Sequence, residues 1–223
     1  MAGRKIILAE GEYYHIFNRG IARQPVFFTK RDYERFILAL SYYRFAKPPT
    51  KLSNFMRFPR EIQSELLNKL NTNNEKLVEI VSYVLMPNHF HILLKQLTKH
   101  GISIFLSKLI NSYTRYINTK QDRVGDLFQG VFKAVHVETD NQLLHLSRYI
   151  HLNPVVSYIT KEAELISYPW SSFSDYIAGN SEVLNLDLIL GNFKAPYEYQ
   201  KFVLDQIDYA NKLEEIKHLM IER

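Results

Sequence analysis

The alternation of apolar and polar positions along the chain predicts four β-strands. Apolar and β-branched residues, which favour strands, fill segments at about residues 12–19, 76–86, 89–96 and 131–138. Gly20 follows the first segment and predicts a turn there. Only Met86-Pro87-Asn88 joins the second and third segments, so we expect these two strands to be neighbours.

Apolar residues at helical spacing predict three longer helices. Thr29 is a candidate N-cap for the first helix, which Lys47-Pro48-Pro49 ends. The second helix spans residues 101–119 and carries one apolar face. Thr139-Asp140 caps the third, and we expect this helix to end towards Asn153-Pro154. The order β-α-β-β-α-β-α predicts an α+β fold, with helices packed on an antiparallel sheet.

The remaining segments predict an insertion and a tail. Residues 48–75, with a short helix and a polar loop, look like an insertion between the first helix and the second strand. Late in the chain the sequence becomes acidic, and short amphipathic helices are expected at about residues 183–191 and 197–221. We therefore predict one domain over residues 1–178 and an acidic helical C-terminal extension over residues 179–223.

Composition narrows the class of protein. Apolar residues make up 46% of the chain and aromatic residues 13%, which is enough for a core and excludes a disordered chain. The absence of cysteine excludes disulfides and thiolate metal sites. No apolar run approaches the roughly 18 residues of a membrane span, and the N-terminus lacks the apolar stretch of a signal peptide. We expect a soluble cytoplasmic protein with no membrane partner.

Charge is unevenly distributed along the chain. Residues 1–150 carry 22 Lys and Arg against 12 Asp and Glu, whereas residues 151–223 carry 6 against 11. A basic body favours a polyanionic partner, although solvated surface charge gives the same imbalance. The chain also contains 15 tyrosines and 14 phenylalanines. Their rings offer stacking platforms for single-stranded nucleic acid, although most of them must form the core.

The segment Pro87-Asn88-His89-Phe90-His91 places two imidazoles close together in a predicted strand. Side chains alternate between the faces of a strand, so His89 and His91 share one face and Phe90 turns into the core. Two imidazoles on one face are able to bind a single metal ion. Ordinary hydrogen-bonded histidines show the same spacing, so both interpretations stand at this point.

The helix after the last strand carries polar residues one turn apart. His145, Tyr149 and Asn153 follow one another in steps of four and so share a face. A tyrosine acts as a covalent nucleophile when a metal polarises the electrophile. The amide oxygen of Asn153, together with two imidazoles, suits Mg²⁺ or Mn²⁺ better than a closed zinc site. A core aromatic residue would fit the same position, and spacing alone does not single out Tyr149.

Five segments, spread over about residues 10–178, carry recognisable motifs. The two most specific are residues 83–94 (YVLMPNHFHILL) and residues 147–155 (SRYIHLNPV). The other three are residues 13–20 (YYHIFNRG), 127–130 (LFQG) and 168–172 (YPWSS). In their order and spacing they resemble the HUH-type single-tyrosine transposases, and most closely the REP-associated tyrosine transposases.

The resemblance implies a ferredoxin-like HUH fold and a set of roles. His89 and His91 would be metal ligands, Asn153 a third polar ligand for Mg²⁺ or Mn²⁺, and Tyr149 the nucleophile. The implied reaction is metal-assisted cleavage and rejoining of single-stranded DNA through a 5′-phosphotyrosine link. The implied partner is a DNA hairpin formed by a palindromic repeat, and the implied location is the bacterial cytoplasm, with the nucleoid.

Two positions depart from the family's pattern. Val131 stands where the family usually has a basic residue, although Lys133 is retained. Position 145, commonly acidic in relatives, is His145, for which a role near the metal, a role in proton transfer and a solvent-facing position all remain open. Basic residues in or next to the motifs are expected to contact phosphates, and these are Arg19, Arg115, Lys133 and Arg148.

Two other functions fit parts of the pattern. One is a domesticated DNA-binding protein that keeps the fold without turnover. The other is an unrelated metal hydrolase built on His-x-His, which would need a third ligand such as His136 or His145. The chain gives no preference between a monomer and a homodimer.

Overall fold

The computed structural model describes residues 7–73 and 75–207. Its strands form one four-stranded antiparallel sheet with the order β2-β3-β1-β4. In chain order the elements are β1 (Tyr13–Arg19), α1 (Lys30–Tyr43), α2 (Leu52–Phe55), α3 (Arg60–Asn73), β2 (Val78–Met86), β3 (His89–Gln96), α4 (Gly101–Lys120), β4 (Lys133–Val137), α5 (Asp140–Val156), α6 (Phe173–Ala178), α7 (Asp187–Leu190) and α8 (Pro196–Leu204). The predicted α+β fold is confirmed.

Most predicted elements lie where the sequence pattern puts them. β3 begins and ends at the predicted residues, and α1 begins directly after the predicted cap at Thr29. The backbone N–H of Thr29 donates a 2.8 Å hydrogen bond to the Asp32 carboxylate, which satisfies one of the donors at the start of the helix. None of the helices in residues 7–73 and 75–207 is long and apolar enough to cross a membrane.

Three predicted boundaries are wrong. α5 does not end at Asn153-Pro154 but continues to Val156, because the Asn153 carbonyl still accepts a 2.9 Å hydrogen bond from the Ser157 N–H beyond the proline. The helix expected from residue 183 begins only at α7, because Leu184 bridges to Ile80 of β2. β4 begins at Lys133 rather than at residue 131. Of the helix expected over residues 197–221, α8 covers the first part and residues 208–221 lie outside the described residues.

The first of two compact units has an aromatic core. It comprises the described residues of Met1–Glu79, together with Pro87–His89 and Leu94–His136. The ring of Phe36 lies edge-on to Phe27 and to Tyr113, with centroids 5.2 and 5.0 Å apart. The Tyr113 hydroxyl donates a 2.8 Å hydrogen bond to the Val26 carbonyl, so its polar end is satisfied in the core. This cluster fixes α1 against α4.

In the second unit, residues after α5 extend the hydrogen bonding of β2. The unit comprises Ile80–Met86, Phe90–Leu93 and the described residues of Val137–Arg223. The Leu85 N–H donates to the Trp170 carbonyl at 2.8 Å, and the Ser172 N–H donates to the Tyr83 carbonyl at 3.0 Å. The YPWSS motif therefore has a structural role here. The domain boundary expected near residue 178 stays a prediction.

Candidate active site

β3 presents the two imidazoles of the His-Phe-His segment. His89 is its first residue and is half-buried, whereas His91 is only 8% exposed. Phe90, between them, is fully buried, as strand alternation predicts. His89 and His91 therefore lie on the same face of β3, and Phe90 lies on the opposite face, as two metal ligands on one strand would require.

The hydrogen bond of His89 leaves one ring nitrogen available as a ligand. Its Nδ1 lies 2.6 Å from Oδ1 of Asn88. Because an amide oxygen only accepts, Nδ1 carries the proton and Nε2 carries the lone pair. Burial, with a smaller contribution from the charge of Arg19, lowers the pKa of His89 to about 4. The ring is thus neutral near pH 7, which is the form that binds a cation.

Asn88 is itself held in place by the turn after β1. Its amide nitrogen donates to the Arg23 carbonyl at 3.1 Å, and its backbone carbonyl accepts from the Gly20 N–H at 2.8 Å. Gly20 is required because of a close approach: a Cβ atom there would lie 2.2 Å from the Gln24 carbonyl oxygen. The glycine of the YYHIFNRG motif thus allows the turn that positions Asn88 and, through it, His89.

His91 lies next to the predicted nucleophile. Its ring centroid is 5.7 Å from that of Tyr149, and the two rings are nearly perpendicular, at 89°. Tyr149 lies on α5 and is 45% exposed, which is unusual for a large aromatic residue in this chain. The structure therefore brings an accessible phenol to one of the two imidazoles, a pairing that sequence spacing does not reveal.

Asn153 lies one helical turn after Tyr149. Its amide nitrogen donates a 3.1 Å hydrogen bond to the Tyr149 carbonyl, so Oδ1 is the atom suited to a cation. In the described part of the chain no three His, Cys, Asp or Glu side chains lie together as a metal site. Imidazole and amide oxygen are a donor set that suits Mn²⁺ or Mg²⁺ better than a closed zinc site.

A buried network around His151 anchors the helix that carries Tyr149. Nδ1 of His151 lies 2.7 Å from the Tyr199 hydroxyl, and Nε2 lies 2.8 Å from Oγ of Ser172. Burial lowers the pKa of His151 to about 3, so the ring is neutral and one of these hydroxyls donates to it. The Tyr199 hydroxyl donates its proton to Oγ of Ser147 at 3.0 Å, so it accepts from Nδ1 of His151 and the donor to this ring is Ser172. α5 is thus fastened to α8 and to the YPWSS motif by hydrogen bonds.

Two of the four predicted phosphate contacts lie at the sheet in the first unit. Arg19 ends β1, is exposed, and is close enough to His89 to affect its pKa. Lys133 begins β4 and is exposed, with its Nζ 5.9 Å from the centre of the Phe17 ring on β1.

The other two are in different settings. Arg115 is exposed on α4 and lines a groove in the first unit. The guanidinium of Arg148 stacks 4.2 Å from the ring centre of Phe202, donates to the Phe202 carbonyl at 3.3 Å, and lies 2.5 Å from Nδ1 of His145. Arg148 is therefore used within the second unit, and His145 is an exposed partner of it.

Sequence reasoning missed three groups that position the site. Asn88 was counted only as a turn residue, although its place directly before His89 signalled a side chain able to orient that ring. His151 anchors α5 through Tyr199, which lies 48 residues away, and no local motif connects the two. The stacking of Phe202 on Arg148 likewise has no signal in the sequence.

Comparison with known proteins agrees with these motifs. Residues 46–153 match the family described as IS200-like transposases. Among solved structures, a REP-associated tyrosine transposase bound to a REP hairpin matches with a TM-score of 0.55 and 14% sequence identity, over 84% of this chain and 96% of that chain. No curated protein matches the sequence significantly.

The matched residues 46–153 contain the whole of the motif at residues 83–94 and the motif at residues 147–155 as far as Asn153. The matched structure has the same fold as this chain. The resemblance expected from the motifs is therefore confirmed. Over residues 46–153 the chain is therefore similar to the IS200-like transposases, and it has the fold of a REP-associated tyrosine transposase.

Proposed function

We propose that this protein cuts and rejoins single-stranded DNA, with Tyr149 as the nucleophile. The observation that carries the proposal is the accessible Tyr149 ring, 5.7 Å from that of His91. The Tyr149 oxygen forms a bond to a scissile phosphorus as the bond to the 3′ oxygen breaks. The phenolic proton ends on the released 3′-hydroxyl, and the 5′-phosphate stays on the tyrosine. Attack by a second 3′-hydroxyl reverses the step and joins strands without an external energy source.

His89, His91 and Asn153 would hold a divalent cation, Mg²⁺ or Mn²⁺, beside this phosphate. The cation supplies positive charge that stabilises and orients the phosphate during the exchange. The chain prepares the ligands: Asn88 fixes the tautomer of His89, and burial keeps that ring neutral. The hydrogen bond from the side-chain amide nitrogen of Asn153 to the Tyr149 carbonyl turns the amide oxygen away from that carbonyl.

Hairpin DNA is the substrate that we propose. The solved transposase with the same fold is bound to a REP hairpin. In this chain the charge of Arg19 next to His89, and that of Lys133 on β4, would attract the phosphates of such a strand. The described residues offer no cluster of three metal-binding side chains, which favours this function over a metal hydrolase with a closed site.

A labelled hairpin tests the proposal directly. A single-stranded hairpin DNA that carries different dyes at its 5′ and 3′ ends is incubated with the protein and Mn²⁺, then denatured and separated by gel electrophoresis. We expect a covalent adduct that carries the 3′ dye, because the 5′-phosphate of the downstream fragment stays on the protein. The 5′ dye should appear on a free fragment. An adduct that carries the 5′ dye would contradict the proposed polarity.

Two tyrosine variants complete the test. Tyr149→Phe removes the nucleophile and should abolish the adduct. Tyr158→Phe changes another exposed tyrosine, 67% exposed, and should leave the adduct unchanged. No adduct with the wild-type protein, on hairpins that it binds, would instead support a DNA-binding protein without turnover.

A further inference from the structure

A groove in the first unit is lined by basic side chains and contains neither the proposed nucleophile nor a proposed metal ligand. It lies between α1, α4 and residues 46–53, and its volume is about 870 Å³. None of its lining residues is acidic. Six of them are basic: Arg35, Lys47, Lys51, Lys108, Arg115 and Lys120.

Three of these cations make side-chain contacts with neighbouring groups of the first unit. Nζ of Lys120 lies 2.6 Å from an oxygen of Asp32, and the Arg35 guanidinium lies 4.5 Å above the centre of the Tyr116 ring. Nζ of Lys108 donates a 3.0 Å hydrogen bond to the Ala46 carbonyl. These contacts hold the three side chains in place, and among the described residues only Lys120 of the three is paired with a carboxylate.

The other three cations of the groove are exposed. Lys47 and Lys51 lie on the segment before α2, and Arg115 lies on α4. Like charges gathered around one concave surface repel one another and raise the local concentration of anions. A ligand that carries several phosphates at regular spacing would neutralise this charge, whereas a small monoanion would meet only part of it.

We propose that this groove binds the phosphate backbone of the DNA substrate, as a second contact separate from the site of cleavage. The identity of the polyanion rests on the proposed function. Lys and Arg side chains contact phosphates without reading bases, so the groove adds affinity but no sequence preference. Arg115, one of the four predicted phosphate contacts, then acts together with Lys47 and Lys51.

Salt-dependent binding of the triple variant Lys47→Ala/Lys51→Ala/Arg115→Ala tests the proposal. For single strands, each phosphate contact makes the plot of log affinity against log salt concentration steeper by about 0.7. At 0.1 M salt one such contact therefore strengthens binding about fivefold relative to 1 M salt. We expect the triple variant to bind a fluorescent hairpin with single-stranded flanks about 100-fold more weakly, with the slope smaller by about 2. The loss should be equal for two hairpins of unrelated sequence.

Matched controls separate a local effect from net charge. Lys99→Ala/Lys161→Ala/Lys201→Ala removes three exposed positive charges outside the groove, and its affinity should fall less than about threefold. Lys47→Arg/Lys51→Arg/Arg115→Lys keeps the charges and should bind like the wild type. We call Lys47→Ala/Lys51→Ala/Arg115→Ala the groove triple. The proposal would be overturned if the groove triple and the control variant lost the same affinity, or if the affinity of the groove triple stayed within twofold of the wild type.

Measuring the rate of adduct formation at saturating DNA separates the test of the groove from the test of the proposed function. At saturating DNA the groove triple should still form the Tyr149 adduct at the wild-type rate, because it alters binding alone. If no protein forms an adduct but the groove triple still loses affinity, the groove proposal holds and the cleavage proposal fails. An adduct from the groove triple that stays slow at saturating DNA would place these residues in the chemistry and contradict a binding role.

Discussion

His151 should make the stability of this protein depend on pH between 7 and 5. The ring is fully buried on α5, against Tyr199 and Ser172, and burial lowers its pKa from the ordinary 6.5 to about 3. In the unfolded chain the imidazole takes up a proton near pH 6.5, whereas in the folded chain it does so only near pH 3. The unfolded state therefore binds more protons in this window, and stability falls as the pH falls.

The size of the effect follows from the two pKa values. Each pH unit between them changes the free energy of unfolding by about 1.4 kcal/mol, so the loss from pH 7 to pH 5 is about 2 kcal/mol for this one group. Other titrating groups contribute to the same curve, so the contribution of His151 is the difference between the wild type and His151→Gln. Gln keeps one donor and one acceptor but does not titrate.

Urea denaturation at pH 7, 6 and 5, followed by circular dichroism, measures this difference. We expect the free energy of unfolding of His151→Gln to fall by about 2 kcal/mol less than that of the wild type over this range. Tyr199→Phe, which loses the hydroxyl but keeps the imidazole, should retain the steeper dependence. Equal pH dependence in the wild type and His151→Gln would refute the buried, neutral histidine.

The remaining predictions concern the ligand residues and the turn before them. Asn88→Ala releases Nδ1 of His89, and the Mn²⁺ concentration for half-maximal adduct formation should rise about 10- to 100-fold, whereas an unchanged concentration would exclude an orienting role. Gly20→Ala places a Cβ within 2.2 Å of the Gln24 carbonyl oxygen and should lower the free energy of unfolding by about 1–3 kcal/mol in urea titrations; a smaller change would mean that the turn relaxes easily.

The strands and long helices could be predicted because their signals are local. The alternation around His89 and His91 and the Thr29 cap each specify structure within a few residues, and the structure agrees at both places. The end of α5 could not be predicted in the same way. Pro154 removes one N–H, but the flanking helical bonds continue, so the statistical signal for a helix end was misleading.

The candidate site depended on contacts that join distant parts of the chain. Residues 91 and 149 are 58 positions apart, and only the structure shows their rings side by side. Arg148 is another example of a contact that the sequence does not predict. Its motif predicts a phosphate contact, but in the structure its guanidinium stacks on the ring of Phe202. The sequence likewise predicted Arg115 without the groove around it, because the groove is made by segments from two helices and an insertion.

The central claim is that Tyr149 forms the covalent bond to DNA, and peptide mass spectrometry of the trapped adduct tests it most directly. After nuclease trimming and digestion with trypsin, the residues between the cleavage points at Arg148 and Lys161 include two tyrosines, Tyr149 and Tyr158. Fragment ions distinguish them. We predict a 5′-nucleotide mass on Tyr149 alone; the same mass on Tyr158, or on any other residue, would contradict the account.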